Sequence, residues 1–509
     1  MGFRDLIADF KLQWGVHPDG HKSLTSERPI ESMPLPERLV LPLAQHIGAP
    51  ARPVVAPGER VLRGQRLAEP VGMVSSAVHA PTSGRIADIG DYPVPHPSGL
   101  AAAALVLLPD GLDEPVAFEP CEDPHSLEAD EIARRVAAGG VVGLGGATFP
   151  AAVKLGLGKR NPVHTLLLNG GECEPYLSCD DRTMRERPQA VVDGARLMAR
   201  ALGAQAVVIG IERNKPAAIA AVQLAASGHP EVSVRALPVR YPMGSEKQLV
   251  AYLTGVEVPA GGLSAEVGVV VHNVGTAAEV SRVLRTGEPL THRALTVSGA
   301  AISRPANLRV AIGTSVADII AHCGGVRRDV ARYVMGGPMM GMLLPGTDVP
   351  VVKGSSGVLS LTSEEAGGGS ASACIRCARC AGVCPIGLQP FEMAARIRAG
   401  RAEAAVDLGL KDCIGCGSCA YTCPAKIPLS HYFSYAKGSL AAAERSRLKN
   451  ESIKKLTAAR SERLAREARE KAEAAARRKA EREAAKRRAA EAAAGEAAEE
   501  RREVPQVSA

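Results

Sequence analysis

The sequence predicts a multidomain chain of mixed α/β and β architecture that ends in a cysteine-rich helical module and a charged tail. Three observations predict it. At roughly 150 residues per domain, 509 residues make three to four domains. The periodicity of apolar residues changes along the chain, from strand-like at 36–110 to alternating helix and strand at 130–240. Eight of the 12 cysteines fall between positions 374 and 423. With 46% hydrophobic and 23% charged residues the composition is that of ordinary globular domains. Aromatics are only 3%, so Ala, Val and Leu must fill the cores.

Several function classes fall away at this level. No stretch reaches the roughly 18–20 apolar residues of a membrane span, and no secretory signal pattern is expected at the N-terminus. The net charge is +7, but residues 444–509 hold 19 basic and 13 acidic residues, so the body is close to +1. The basic excess belongs to the tail, and without interleaved aromatics it does not suggest nucleic-acid binding.

The elements follow in order. In segment 1–35, Phe3, Leu6, Ile7 and Phe10 recur at helical spacing with Trp14 beyond, which predicts a short amphipathic helix packed on its own body, with docking on lipid or a partner as the alternative. Residues 36–125 form a β domain. Residues 126–292 read as a Rossmann-like α/β domain with a parallel sheet: helices at 129–138, 188–202 and 215–226, strands at 165–169, 206–211 and near Val232. A smaller β domain is assigned to 293–350, the cysteine module to 365–435 and the tail to 440–509. The tail is nearly all Ala, Glu, Arg and Lys; it favours helix but has no apolar seam for a coiled coil, leaving a solvated helix or disorder. Attraction to anionic lipid headgroups is its sharper reading.

The cysteines form two copies of C-x₂-C-x₂-C-x₃-C-P: Cys374, Cys377, Cys380, Cys384, and Cys413, Cys416, Cys419, Cys423, each run closed by Pro. This run holds [4Fe–4S] clusters, and in two-cluster proteins its fourth cysteine ligates the other cluster. Two such clusters with crossed ligation are expected. Three thiolates spaced by two residues can wrap three corners of a cubane, and the fourth Cys is expected to begin a helix, with 390–408 helical between the runs. A zinc ribbon would need paired C-x₂-C motifs rather than two runs of four. Cys121, Cys179 and Cys323 read as small buried hydrophobes, and Cys173 lies within a motif.

That motif belongs to an ordered set. Gly143-Leu-Gly145-Gly146-Ala-Thr-Phe149-Pro with Lys154, then Asn169-Gly-Gly-Glu172-Cys-Glu174-Pro, Tyr241-Pro-Met-Gly-Ser-Glu246, and Asn273-Val-Gly-Thr276 occur in this sequence. Alone, the glycine loop is a weak signal, because it lacks the sixth-place Gly of the dinucleotide fingerprint and follows a helix. Together the segments resemble the flavin- and NADH-binding subunit of respiratory complex I. The resemblance implies that Gly143, Gly145, Gly146, Lys154, Asn169, Asn273 and Thr276 hold FMN, with Glu172 in the same acidic loop. It implies that Phe149, Glu174, Tyr241 and Glu246 face NADH. Lys154 and Glu246 are the residues expected to act in catalysis. Gly171, Ser245 and Gly275 depart from that family's pattern.

Two further resemblances complete the plan. Ala56 to Leu67 and Val78 to Ile86 resemble a biotinyl/lipoyl barrel-sandwich domain, but Met73 stands near the carrier position and no Lys occurs between Lys22 and Lys154, so it has no amine to acylate. Residues 294–325 resemble a β-grasp domain. The whole order of domains resembles the RnfC (RsxC) family of the Rnf electron-transport complex. That resemblance implies a peripheral subunit on the cytoplasmic side of the bacterial inner membrane. It would exchange electrons between NADH and ferredoxin, with membrane subunits of an Rnf-type complex as partners and ferredoxin or flavodoxin reached indirectly, coupled to ion translocation. The alternatives are the flavin and iron–sulfur subunit of a soluble hydrogenase or formate dehydrogenase, and a non-catalytic dicluster adaptor.

Overall fold

The structure is a computed structural model that describes residues 14–96, 98–159, 161–367 and 369–500. The helix expected around Phe3, Leu6, Ile7 and Phe10 lies outside the described residues. Trp14 is described, and it packs on the α/β core beside Val271 and Leu249. The chain divides into two units, Met1–Ser434 and Tyr435–Ala509.

Strands Leu39–Pro42, Ala101–Pro109, Gly84–Pro93 and Arg60–Val61 form one antiparallel sheet, and Arg52–Pro53, Arg66–Glu69 and Val78–His79 form a second. Leu39, Leu41, Leu67, Ile86, Leu105 and Leu107 are buried between them. Alternation drives this sandwich, since strand side chains point to opposite faces in turn.

The α/β domain has four parallel strands in the spatial order Val232–Leu237, Ala206–Glu212, Thr165–Gly170, Val269–Asn273. Leu166, Leu167 and Leu168 are all buried, as a central strand covered on both faces requires. Helix Pro188–Leu202 starts with Pro at its first position and stops at Gly203, whose φ of 71° ends it in the left-handed region. It packs on helix Val274–Thr286 at Gly194, where a Cβ would stand 1.8 Å from the carbonyl oxygen of Ala277. Gly194→Ala is therefore expected to part these helices at a cost of about 1–3 kcal/mol, read as a lowered midpoint in thermal unfolding. An unchanged midpoint would mean that the helices separate freely.

The third sheet is mixed, in the order Ile30–Ser32, Ala306–Ala311, His292–Ser298, Gly357–Leu361, Arg332–Met335, Met342–Leu343. It crosses two of the assigned boundaries. Ile30–Ser32, from segment 1–35, pairs in parallel with Ala306–Ala311. The domain assigned to 293–350 also takes its central strand from 357–361, where five consecutive residues are buried.

In the cysteine module, 390–408 is two helices, Pro390–Arg398 and Ala402–Val406, parted at Gly400 with φ 73°. Helix Leu429–Glu500 follows, and every described side chain from 441 to 499 is exposed. Among the described residues no helix is long and apolar enough to cross a membrane.

Candidate functional site

A cleft of about 660 Å³ opens where the α/β strand order reverses. Such switch points gather ligands because loops from adjacent strands diverge there. Asn169 and Asn273 end neighbouring strands as register partners. Asn169 donates to the carbonyl of Gly244 (2.7 Å) and accepts from the N–H of Gly171 (2.9 Å), pinning the acidic loop. Asn273 accepts from the N–H groups of Gly275 (2.8 Å) and Thr276 (3.3 Å), capping helix Val274–Thr286, and donates to Asp180 (2.6 Å). A helix N-terminus thus meets the cleft, with the partial positive charge that favours phosphate.

The glycine loop is held at its root and bare at its tip. The N–H of Leu144 donates to Thr276 Oγ1 (2.8 Å), its carbonyl accepts from Arg293 (2.5 Å), and its side chain is buried in the core of the sandwich domain. Gly145 and Gly146 are exposed beyond it. A Cβ on Gly145 would lie 3.1 Å from the Asn273 side chain, and Gly146 has φ 102°. These positions offer backbone N–H groups and no bulk, which suits close approach of a phosphate.

The floor is acidic. Glu172, 7% exposed, accepts from the N–H groups of Asp180 (2.8 Å) and Asp181 (3.4 Å) at the start of helix Cys179–Glu186. Burial, then the charge of Glu172, pushes the Asp180 carboxyl up to about 6. Glu174 accepts from the N–H groups of Met339 (3.0 Å) and Met340 (2.9 Å), yet burial outweighs these bonds and raises it to about 7. Carboxylates in such a cleft accept from ribose or ribityl hydroxyls.

Glu174 makes a pH prediction. Its folded pKa of about 7 exceeds the ordinary 4.5, so the folded state binds more protons between these values. Stability then falls as pH rises through that window. Glu174→Gln, which mimics the neutral acid, should lessen the fall. Chemical denaturation of the cofactor-free chain at pH 5 and pH 8 measures it; parallel profiles for the two proteins would refute it.

The structure gathers Gly145, Gly146, Asn169, Glu172, Glu174, Tyr241, Glu246 and Asn273 around the cleft. It does not bring Gly143, Phe149, Lys154 or Thr276 to its lining. Gly143 and Phe149 pair with each other through the backbone (2.8 Å) at the loop's base. Thr276 is fully buried as the acceptor for Leu144. Lys154, expected beside the flavin, is turned to Glu246 (3.0 Å) and to the carbonyl of Val271 (3.0 Å). Glu246 in turn accepts from Ser264 (2.7 Å).

The lining also includes residues that the sequence did not point to, among them Ala44 to Ile47 with Pro95, Asp180, Met335 to Gly337 with Met340 to Met342, Val352 with Gly354 to Ser356, and Ile414. The run Gly336-Gly337-Pro-Met-Met-Gly341 carried a signal in its glycine density. A Cβ on Gly337 would meet Glu174 at 2.2 Å, so the close approach requires glycine there.

The eight cysteines line two cavities. One, of about 80 Å³, is lined by Cys374, Cys377, Cys380 and Cys423. The other, of about 20 Å³, is lined by Cys384, Cys413, Cys416 and Cys419. Each therefore joins three cysteines of one run to the fourth of the other, among otherwise largely apolar walls, which is a donor set suited to an iron–sulfur cluster. The fourth cysteine does not begin a helix, contrary to expectation. Cys384 and Cys423 follow the short helices Arg379–Gly382 and Ser418–Tyr421, and the next helices start at Pro390 and Leu429. The Cys-Pro step makes a turn because proline disfavours helix in the residue before it. The loops repeat each other: Arg376 and Ala378 (φ 53° and 58°) match Gly415 and Gly417 (φ 70° and 77°). Burial raises the Cys380, Cys416 and Cys419 thiols, and a coordinated metal would deprotonate them. Of the scattered cysteines, Cys179 and Cys323 are buried, Cys121 is partly exposed, and Cys173 lines the cleft.

The second cavity adjoins the cleft. The buried Tyr241 lines the cleft and donates its hydroxyl to the carbonyl of Cys416 (2.6 Å), Ile414 lines both, and Gln248 donates to the carbonyl of Pro385 (3.0 Å).

Comparison with known proteins agrees with this arrangement. Residues 10–112 match the RnfC barrel sandwich hybrid domain, 136–282 the Nuo51 FMN-binding domain, 295–343 the SLBB domain and 370–427 the 4Fe-4S dicluster domain. The C subunit of the ion-translocating oxidoreductase complex of Rhodobacter capsulatus is 50% identical over 436 residues, covering 85% of this chain and 84% of that protein. The chain belongs to the RnfC family. A second RnfC-family relative, from the proton-translocating ferredoxin:NAD(+) oxidoreductase complex of Clostridium ljungdahlii, is 44% identical over 86% of this chain and 95% of its own. A third, from the Na(+)-translocating ferredoxin:NAD(+) oxidoreductase complex of Acetobacterium woodii, is 43% identical over 75% of this chain and 86% of its own.

Proposed function

We propose that this chain is the electron-relay subunit of a membrane-associated complex that exchanges electrons between NADH and ferredoxin and couples the exchange to ion translocation. The observation that carries the reading is the contact of the cleft with the second cysteine cavity through Tyr241 and Ile414. When bound, FMN converts a two-electron hydride transfer into single-electron steps, and the clusters carry single electrons. The chain's own residues supply the rest. Gly145, Gly146 and the helix beginning at Val274 would cradle the flavin phosphate, Asn169 and Asn273 would fix the cleft wall, and Glu172 and Glu174 would accept from ribityl or ribose hydroxyls. Lys154 acts at one remove by holding Glu246. Cys374, Cys377, Cys380 and Cys423 would hold one cluster, and Cys384, Cys413, Cys416 and Cys419 the other, the latter nearer the flavin.

The mixed sheet around His292–Ser298 is read as a β-grasp domain. Attachment would be peripheral, on the cytoplasmic side of the inner membrane, with the basic tail available to anionic lipid. The test is anaerobic reconstitution of the full chain, counts of iron, sulfide and flavin, and an NADH titration. Flavin that bleaches with NADH, followed by cluster reduction, is the expected result. A chain that binds no flavin and is reduced only by dithionite would leave the dicluster adaptor as the reading.

A further inference from the structure

Among the described residues lining the cleft, only Tyr241 and His46 carry aromatic rings. Tyr241 is 2% exposed with its hydroxyl committed to Cys416, so it offers no open face. Phe149, expected to face NADH, does not line the cleft. His46 comes from the sandwich domain, on the loop after strand Leu39–Pro42, and is partly exposed.

The edge of the His46 ring is already used. Nε2 accepts from the N–H of Ser76 (3.0 Å), which leaves the proton on Nδ1, and Nδ1 lies 3.2 Å from the carbonyl of Ile47. Burial lowers its pKa, so the ring is neutral near pH 7. What remains for a ligand is a flat, uncharged face. The loop that carries it is fixed at three points. Gln45 accepts from the N–H of Lys353 (3.1 Å) in the third domain. Ile47 donates to the carbonyl of Thr148 (3.3 Å) in the glycine loop. Gly48, at φ 113°, admits no Cβ because the carbonyl oxygen of Val74 would lie 2.0 Å away. A ring held this way loses little conformational freedom on binding.

We propose that His46 is the stacking surface for the heteroaromatic ring of the dinucleotide substrate. The inference rests on the assignment of NADH to this cleft. It also gives the sandwich domain a task. Lacking an acceptor lysine, it serves as a wall of the substrate site rather than as a carrier, and it places its ring beside the glycine loop.

The test is a calorimetric titration of the reconstituted full chain with NAD+, with flavin and iron contents measured on each variant. His46→Ala is expected to weaken NAD+ binding roughly three- to tenfold with both contents unchanged. His46→Phe keeps a face but loses the acceptor for Ser76; His46→Gln keeps an acceptor but loses the face. Recovery of affinity in the Phe variant and not in the Gln variant supports stacking. Recovery in Gln alone, or an unchanged affinity in the Ala variant, overturns it. A wild-type chain that holds flavin but binds no NAD+ overturns the nucleotide assignment as well, and that result is read before any variant is made.

Discussion

Replacing Cys384 with alanine is expected to empty the second cavity and leave the first filled. Cys384 stands in the first run, yet it lines the cavity of Cys413, Cys416 and Cys419. Iron should fall from eight to about four per chain, and the surviving cluster should keep the spectroscopic signature of the site at Cys374, Cys377 and Cys380. The functional loss should be larger than half. The emptied cavity is the one that touches the cleft, so NADH should still bleach the flavin while the surviving cluster stays oxidised on the same timescale. Dithionite, which reaches a cluster from solvent, should still reduce it, because Cys374 and Cys377 are exposed. Cys423→Ala provides the reciprocal case: the first cavity empties, and NADH-driven reduction of the remaining cluster persists. Loss of the first-run cluster in the Cys384 variant would overturn crossed ligation, and fast NADH reduction of the survivor would overturn the order of relay.

The parts of this molecule that were legible in sequence are those whose meaning is local. The helix at Ala129–Ala138, the helix at Pro188–Leu202 and the two cysteine runs declare themselves within a dozen residues through periodicity, a leading Pro or fixed spacing. The cleft was legible only for loops of one domain, such as those that carry Gly145, Asn169 and Asn273. Its other walls were not, because nothing within residues 44–47 or 352–356 says which sheet they fold against. Lys154 illustrates the difference. A lysine eight residues beyond Gly146 of the glycine loop reads as a phosphate or flavin contact, but helix Ala151–Leu155 aims it at Glu246 instead. The two residues then form one unit, and effects expected to separate into flavin and NADH functions should appear together. The extra strand Ile30–Ser32 was hidden for another reason: three residues carry too little alternation to be told from a loop.

Lys215→Met is expected to give the largest loss of stability among single changes near the cleft. Glu212 and Lys215 form an ion pair of 2.5 Å in which both side chains are 2% exposed. Burial works against the ammonium, but the carboxylates of Glu212 and Glu172 outweigh it and hold its pKa above the usual value. The lysine also sits at the entry of helix Pro216–Ala226, where the helix dipole disfavours a cation, so the acidic partners are what keep it there. Removing the ammonium leaves a buried carboxylate unpaired, at a cost of about 3–5 kcal/mol, or on the order of 10 °C in the melting of a domain of this size. Glu172, which caps helix Cys179–Glu186 and lines the cleft, loses the same counter-charge, so retained flavin should fall with the melting temperature. Glu212→Gln combined with Lys215→Met removes both charges of the pair and should recover part of the loss, since the uncompensated carboxylate is the main cost. A double variant no better than Lys215→Met alone would place the cost in lost packing of the lysine stem instead. Calorimetric scans of the three variants beside wild type, each with its flavin content, decide between these outcomes.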